Sequence, residues 1–180
     1  MKLNGWSLMA IVVFAGVLNA AEPKLDSGPI LANDFGPADV DVAKYPAEMQ
    51  EGYKLMKDRC AKCHTSARPL NAQYAQPAGD TAAQDAAIEG LKKSNPELFK
   101  DKYVLQIETD VWKRFVKRMM GKPGANISKE DAKKIYEFLA YDSQTRKIAN
   151  PEPWIAARGK MLAEFKAKHS EEYKKTYAAN

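Results

Sequence analysis

Cys60-Ala61-Lys62-Cys63-His64 (CAKCH) is the stretch on which the reading of this chain turns. A C-x-x-C-H run is the covalent attachment site of a c-type haem. Two thiols three positions apart lie on nearly the same helical face, so both can bond the vinyl groups along one porphyrin edge. The histidine that follows is then held against the iron as its proximal ligand. Both cysteines of the chain fall inside this run. Rival uses of the pattern fit poorly. A thioredoxin-like C-x-x-C belongs near a βαβ pattern, and nothing in the chain reads that way. A structural zinc needs four ligands, and after Cys60, Cys63 and His64 the remaining histidine is the distant His169.

The start of the chain agrees with export. Lys2 supplies a positive n-region, Leu8 to Leu18 (LMAIVVFAGVL) an apolar core, and Ala20 and Ala21 the small residues of a cleavage site. The apolar run is too short to span a bilayer comfortably, so residues 1–21 are read as a cleaved signal peptide. No cysteine lies near the cut, which excludes a lipoprotein. The expected location is the periplasm, the side of the bacterial inner membrane on which haem c is attached. Cleavage removes Lys2 and leaves 27 basic against 23 acidic groups, a net charge of +4. Such a mild excess favours redox donors and acceptors with acidic docking surfaces, or an anionic membrane surface. It is too even to argue for nucleic acid.

Helical signals fill the rest. Residues 22–45, with Pro23, Gly28, Pro29, Gly36 and Pro37, read as an extended arm. Pro46 opens a helix running to Cys60, with Met49, Tyr53 and Met56 on one stripe. Residues 65–80 read as loop. Asp80 or Thr81 caps a helix to about Lys93, and Asn95-Pro96 a very short one. Thr109 or Asp110 opens a helix ending at Met120, before a Gly/Pro turn over 121–127. Ser128 and Asp131 resemble a capping box for a helix carrying Ile135, Phe138 and Leu139. After Asn150-Pro151 and Pro153, Trp154 to Tyr177 reads as one last helix, with Ile155, Met161, Leu162 and Phe165 as its apolar face. Nothing reads as a sheet, so the expected fold is all-α. The division is 22–45 arm, 46–147 haem domain and 148–180 helical extension.

The sixth iron ligand is to be found among the methionines and His169. At about 100° per residue, Trp112, Phe115, Val116 and Met119 fall within roughly a 100° arc. Met119 lies near the centre of that arc and Met120 at its border. Met119 is therefore the first candidate for the distal ligand and Met120 the second. His169, within EFKAKHSEEYKK, reads as an exposed helical residue. The Nδ1 hydrogen of His64 is expected to go to a backbone carbonyl in the following loop, with Pro69 the candidate. Lys62, between the cysteines, would border an exposed haem edge.

The chain then resembles a known family. Gly52-Tyr53-Lys54-Leu55-Met56 before Cys60 resembles the G-x-x-L-[FM]-x-x-x-C-x-x-C-H opening of class I cytochromes c. Ile135-Tyr136-Glu137-Phe138-Leu139 resembles their closing I-x-x-[YF]-L helix. Val116 to Ser128 (VKRMMGKPGANIS) resembles the V-x-R-M-x-x-x-P-G-A-x-I-S run of a subgroup of bacterial monohaem members. The resemblance implies a helical domain around one covalent haem c, and a close helix crossing at Gly52 and Phe138. It also implies distal ligation by the methionine after the arginine, which is Met119. The function implied is one-electron transfer rather than catalysis. Alternatives are a haem subunit docked in a larger membrane redox complex, or a haem enzyme or gas-binding protein with an open sixth site. The resemblance covers about residues 47–142. The arm, the long stretch between His64 and Thr109, and the tail carry no assignment.

Overall fold

Gly52 sits in the middle of a helix, where glycine costs about 1 kcal/mol relative to alanine, and the computed structural model, which describes residues 29–178, shows its use. Helix α1 (Ala47–Cys60) crosses helix α5 (Lys129–Ser143) at that point. A Cβ on Gly52 would lie 2.4 Å from the Lys134 carbonyl oxygen and 2.8 Å from Phe138 Cβ. Tyr53 adds a ring contact to Phe138, with centroids 5.3 Å apart. Met56, Ile135, Phe138 and Leu139 fill the crossing, and each is at most 3% exposed. Burying side chains of this size contributes about 1.5–3 kcal/mol apiece. Pro46 is the residue before the first turn of α1, one position outside the helix expected to contain it.

Helix α4 (Val111–Met120) packs against α5 and adds Val111, Trp112 and Val116 to the same core. Its first turn has orphan N–H groups. The Asp110 N–H donates to Gln84 Oε1 at 2.9 Å and the Trp112 N–H to Gln76 Oε1 at 3.1 Å. Both glutamines come from the insertion between His64 and Thr109, which therefore holds the start of α4. Asp110 itself is left-handed, at φ 51°.

Two features of the insertion depart from expectation. Residues read as loop contain a helical turn, α2 (Ala67–Leu70), and a two-residue strand β1 (Tyr74–Ala75). The latter pairs in parallel with β2 (Gln106–Ile107). Two-residue strands carry no alternating pattern to recognise. Helix α3 (Thr81–Ser94) starts where expected, with Asp80 accepting from the Ala83 N–H at 2.9 Å. Ser128 likewise caps α5, accepting from the Asp131 N–H at 3.0 Å.

Beyond α5 the chain passes through a π-helical turn (Gln144–Ile148) into α6 (Pro151–Lys168) and α7 (Ser170–Tyr177). The helix begins at Pro151 rather than Trp154, because first-turn prolines forfeit no intrahelical bond. It also breaks at His169, at φ −133° and ψ 58°, where a single helix was expected. The break folds α7 back, so that Tyr177 packs with Ala32, Leu162 and Phe165 in a core of its own. The arm is not simply extended: Ala32–Phe35 form a 3-10 turn with Ala32, Asn33 and Asp34 buried. Gly36 lets arm, insertion and α6 meet, since a Cβ there would lie 2.4 Å from Asn71 Cγ and 2.6 Å from Met161 Cε. The proposed signal segment lies outside the described residues. No helix among the described residues is long and apolar enough to cross a membrane.

Candidate cofactor site

Cys60 ends α1, and Cys63 and His64 follow in the turn after it, with the His64 N–H bonded to the Cys60 carbonyl. Arg59 fixes this corner, its Nε donating to Asp131 of α5 at 3.1 Å. Neither sulfur is in a disulfide. Burial and the neighbouring Cys63 push the Cys60 thiol up to about 12. It is held as a protonated, apolar-facing thiol rather than a free thiolate. His64 is pushed below the usual histidine range, mainly by burial and also by Arg68. Its Nδ1 lies 2.9 Å from the Thr65 carbonyl oxygen, which opposes that shift. A neutral ring held at Nδ1 leaves Nε2 as the free donor atom for a metal.

The acceptor is Thr65, not Pro69 as expected. Pro69 stands inside the turn of α2, where its carbonyl accepts backbone N–H bonds from the residues that end that helix. The carbonyl nearest in sequence is left for the imidazole.

These residues open onto a cavity of about 420 Å³, within the roughly 300–1,000 Å³ of small-molecule and cofactor sites. Cys60, His64 and Pro69 line one part. Trp112, Phe115, Val116 and Met119, the four residues of the predicted α4 arc, line another, and Ile135 and Leu139 of α5 a third. A second, small cavity of about 40 Å³ shares Cys60, His64, Met119 and Ile127 with the first and adds Cys63 to them. Met120 packs against the α4–α5 core and lines neither cavity. Lys62 is exposed beside the cysteines. His169 is half-buried rather than exposed, and it is not helical. Its ring lies 4.9 Å from that of Phe35 and 5.1 Å from that of Phe165, away from the cavity. Among the described residues, no three His, Cys, Asp or Glu side chains gather as a metal site.

One atom in the wall tests what the cavity can hold. The indole N–H of Trp112, 3% exposed, has no hydrogen-bond partner, and a buried unpaired donor is costly. A large flat apolar group carrying carboxylates would fit such a wall, and two thiols and a free imidazole nitrogen await it. Haem c is such a group.

A family model, Cytochrome c, matches residues 49–142, more than half of the chain. The chain belongs to the cytochrome c family. The match runs from α1 through α4 to the end of α5, the three helices that enclose most of the cavity. Members of the family bind haem c covalently, and Cys60 and Cys63 are the thiols of the attachment run in this cytochrome c. No curated protein and no solved structure matched the chain.

The cavity also reaches beyond the matched segment. Leu31 and Asn33 of the arm and Thr176 and Tyr177 of α7 are part of its lining. Sequence patterns gave no reason to place these near the haem. Tyr177 Oη accepts the Ala32 N–H at 3.1 Å, so arm and tail close on each other at this wall. Arg68, also in the lining, holds the arm by a bidentate pair with Asp34, at 2.7 Å and 2.6 Å.

Proposed function

We propose that this cytochrome c is an exported, periplasmic carrier of single electrons, with His64 and Met119 as the two axial ligands of its iron. The observation that carries the reading is that His64, Cys60 and Met119, from two separate elements, line one cavity while Met120 does not. The V-x-R-M-x-x-x-P-G-A-x-I-S resemblance points to the same methionine, and so to the subgroup that shares it. The haem, when bound, supplies the one-electron couple, its potential raised by thioether ligation.

The residues around it have separable tasks. Cys60 and Cys63 keep the cofactor from dissociating. The Thr65 carbonyl orients His64 and fixes its tautomer. The apolar side chains of α4 and α5 exclude water, which limits reorganisation when charge changes. Trp112 offers its indole N–H to a carboxylate. Exposed Lys62, Lys117 and Lys122, close to the attachment run and to Met119, would steer an acidic redox partner. Packing of the arm and α7 against the cavity supports a role for the flanks in this domain itself, rather than as elements reserved for a larger complex.

The test is the holoprotein carrying Met119→Ala, made in a host that matures c-type cytochromes. We expect loss of the thioether–iron charge-transfer band and a lower potential, while Met120→Ala keeps both. Six-coordinate low-spin iron at the parent potential in Met119→Ala would refute the assignment.

A further inference from the structure

Two buried cations stand behind the cavity wall without a carboxylate partner. Lys147, 1% exposed, lies in the π-helical turn after α5. Its Nζ donates to the carbonyls of Ala72 at 2.6 Å and Tyr74 at 2.9 Å. It also stands 4.3 Å from the centre of the Trp154 ring and 5.3 Å from that of Trp112. Arg158 of α6 is fully buried. Its Nε donates to the Tyr103 carbonyl and its Nη1 to the Asn71 carbonyl, both at 3.0 Å, and Nη2 lies 3.4 Å from Gln73 Oε1. Arg146, next to Lys147 in sequence, is answered by Asp142 at 2.6 Å and adds no net charge, and Asp142 acts on Lys147 only at longer range, with no hydrogen bond to it. Asp101, an exposed residue, acts on Arg158 only at longer range.

Such charge is expensive to bury when all its acceptors are neutral. A guanidinium cannot escape by losing its proton. Desolvation, with Arg146 and Arg158 acting in the same sense and Asp142 against it, brings the Lys147 ammonium well below the usual lysine range, and two carbonyl oxygens accept its N–H groups. Of the groups they hold, Ala72, Gln73, Tyr74, Tyr103 and Trp112 line the cavity. The cations are thus one residue behind its surface, in a medium where Coulomb forces are strong.

We propose that Lys147 and Arg158 raise the midpoint potential of the iron by placing uncompensated positive charge behind the cavity wall. Oxidation adds a positive charge to the haem, and fixed cations nearby oppose it. Both residues follow the matched segment, so the stretch after residue 142 is the chain's own means of setting the potential. The inference rests on the reading of this chain as a haem electron carrier.

The experiment is a spectroelectrochemical titration of the holoprotein, comparing the parent with Arg158→Gln, Arg158→Lys and Lys147→Gln. Gln at 158 keeps hydrogen-bond donors and removes the charge, whereas Lys keeps the charge and loses the planar fork. We expect each Gln variant to shift the one-electron equilibrium toward ferric iron by about tenfold, about 59 mV. The shift should be equal at low and high salt, because buried charges are poorly screened. Arg158→Lys should stay near the parent. A parent-like potential in Arg158→Gln overturns the proposal. So does an equal fall in Arg158→Lys, or a fall accompanied by loss of the low-spin bands, since either assigns the effect to packing or ligation. If Arg158 variants yield no folded holoprotein, Lys147→Gln decides by the same criteria. A parent chain recovered without haem would instead remove the carrier reading itself, before any potential is measured.

Discussion

The segment from 49 to 142 and the flanks that wrap it are joined by opposite kinds of force. Inside the segment, α1, α4 and α5 meet through Met56, Trp112, Val116, Ile135 and Phe138, apolar surfaces closed over Gly52. At several flank contacts the bonds are polar and buried. Arg68 grips Asp34, Asn71 donates to the Pro37 carbonyl at 2.8 Å, and Arg146, Lys147 and Arg158 take the carbonyls of residues 70, 71, 72 and 74. An apolar interface degrades gradually when trimmed. A buried ionic one fails sharply when half of it is removed, because the survivor is left unpaired. The haem crevice borrows walls from both.

This contrast yields tests of graded size. Replacing Cys60 and Cys63 together by serine should abolish covalent haem, read as loss of the haem mass from the intact protein. Asp34→Ala strands Arg68 and should cost about 3 kcal/mol in denaturant unfolding, at the low end for a broken buried pair. A double change of Asp34 and Arg68 to apolar residues should recover most of that loss, and no recovery would show that the arm is not held by this pair. Gly52→Ala should destabilise by about 1–3 kcal/mol through overpacking against Lys134 and Phe138, although alanine is the better helix former. A neutral or stabilising result would mean that α1 and α5 can separate without cost. Ser128→Ala, which removes only the cap of α5, should lower stability by about 1 kcal/mol, with an unchanged visible spectrum.

Much of the matched segment was legible because its physics is periodic. The α4 arc was drawn from a fixed angle per residue, and all four of its members face the cavity. Gly52 announced itself by being a poor helix former inside a helix. The misreadings have local causes. Pro69 was passed over as acceptor because α2 engages its carbonyl. Trp154 to Tyr177 read as one helix because nothing in its composition marks His169 as a break, which is enforced by packing of His169 on Phe35 and Phe165. Gln76 and Gln84 gave no signal at all, since a glutamine that caps a distant helix looks like any surface glutamine.

Composition and spacing alone were enough to name the cofactor, the attachment run that carries both cysteines, the helical class and the methionine that lines the cavity. All of these follow from bonding rules or from helical repeat, which act between near neighbours in the chain. Folding in three dimensions was needed to bury Lys147 and Arg158, to bring Tyr177 onto Ala32, and to make arm and tail part of the haem wall. Those contacts join side chains to backbone oxygens far away in sequence, and a carbonyl is the same in every residue, so no pattern of letters records which one will be chosen.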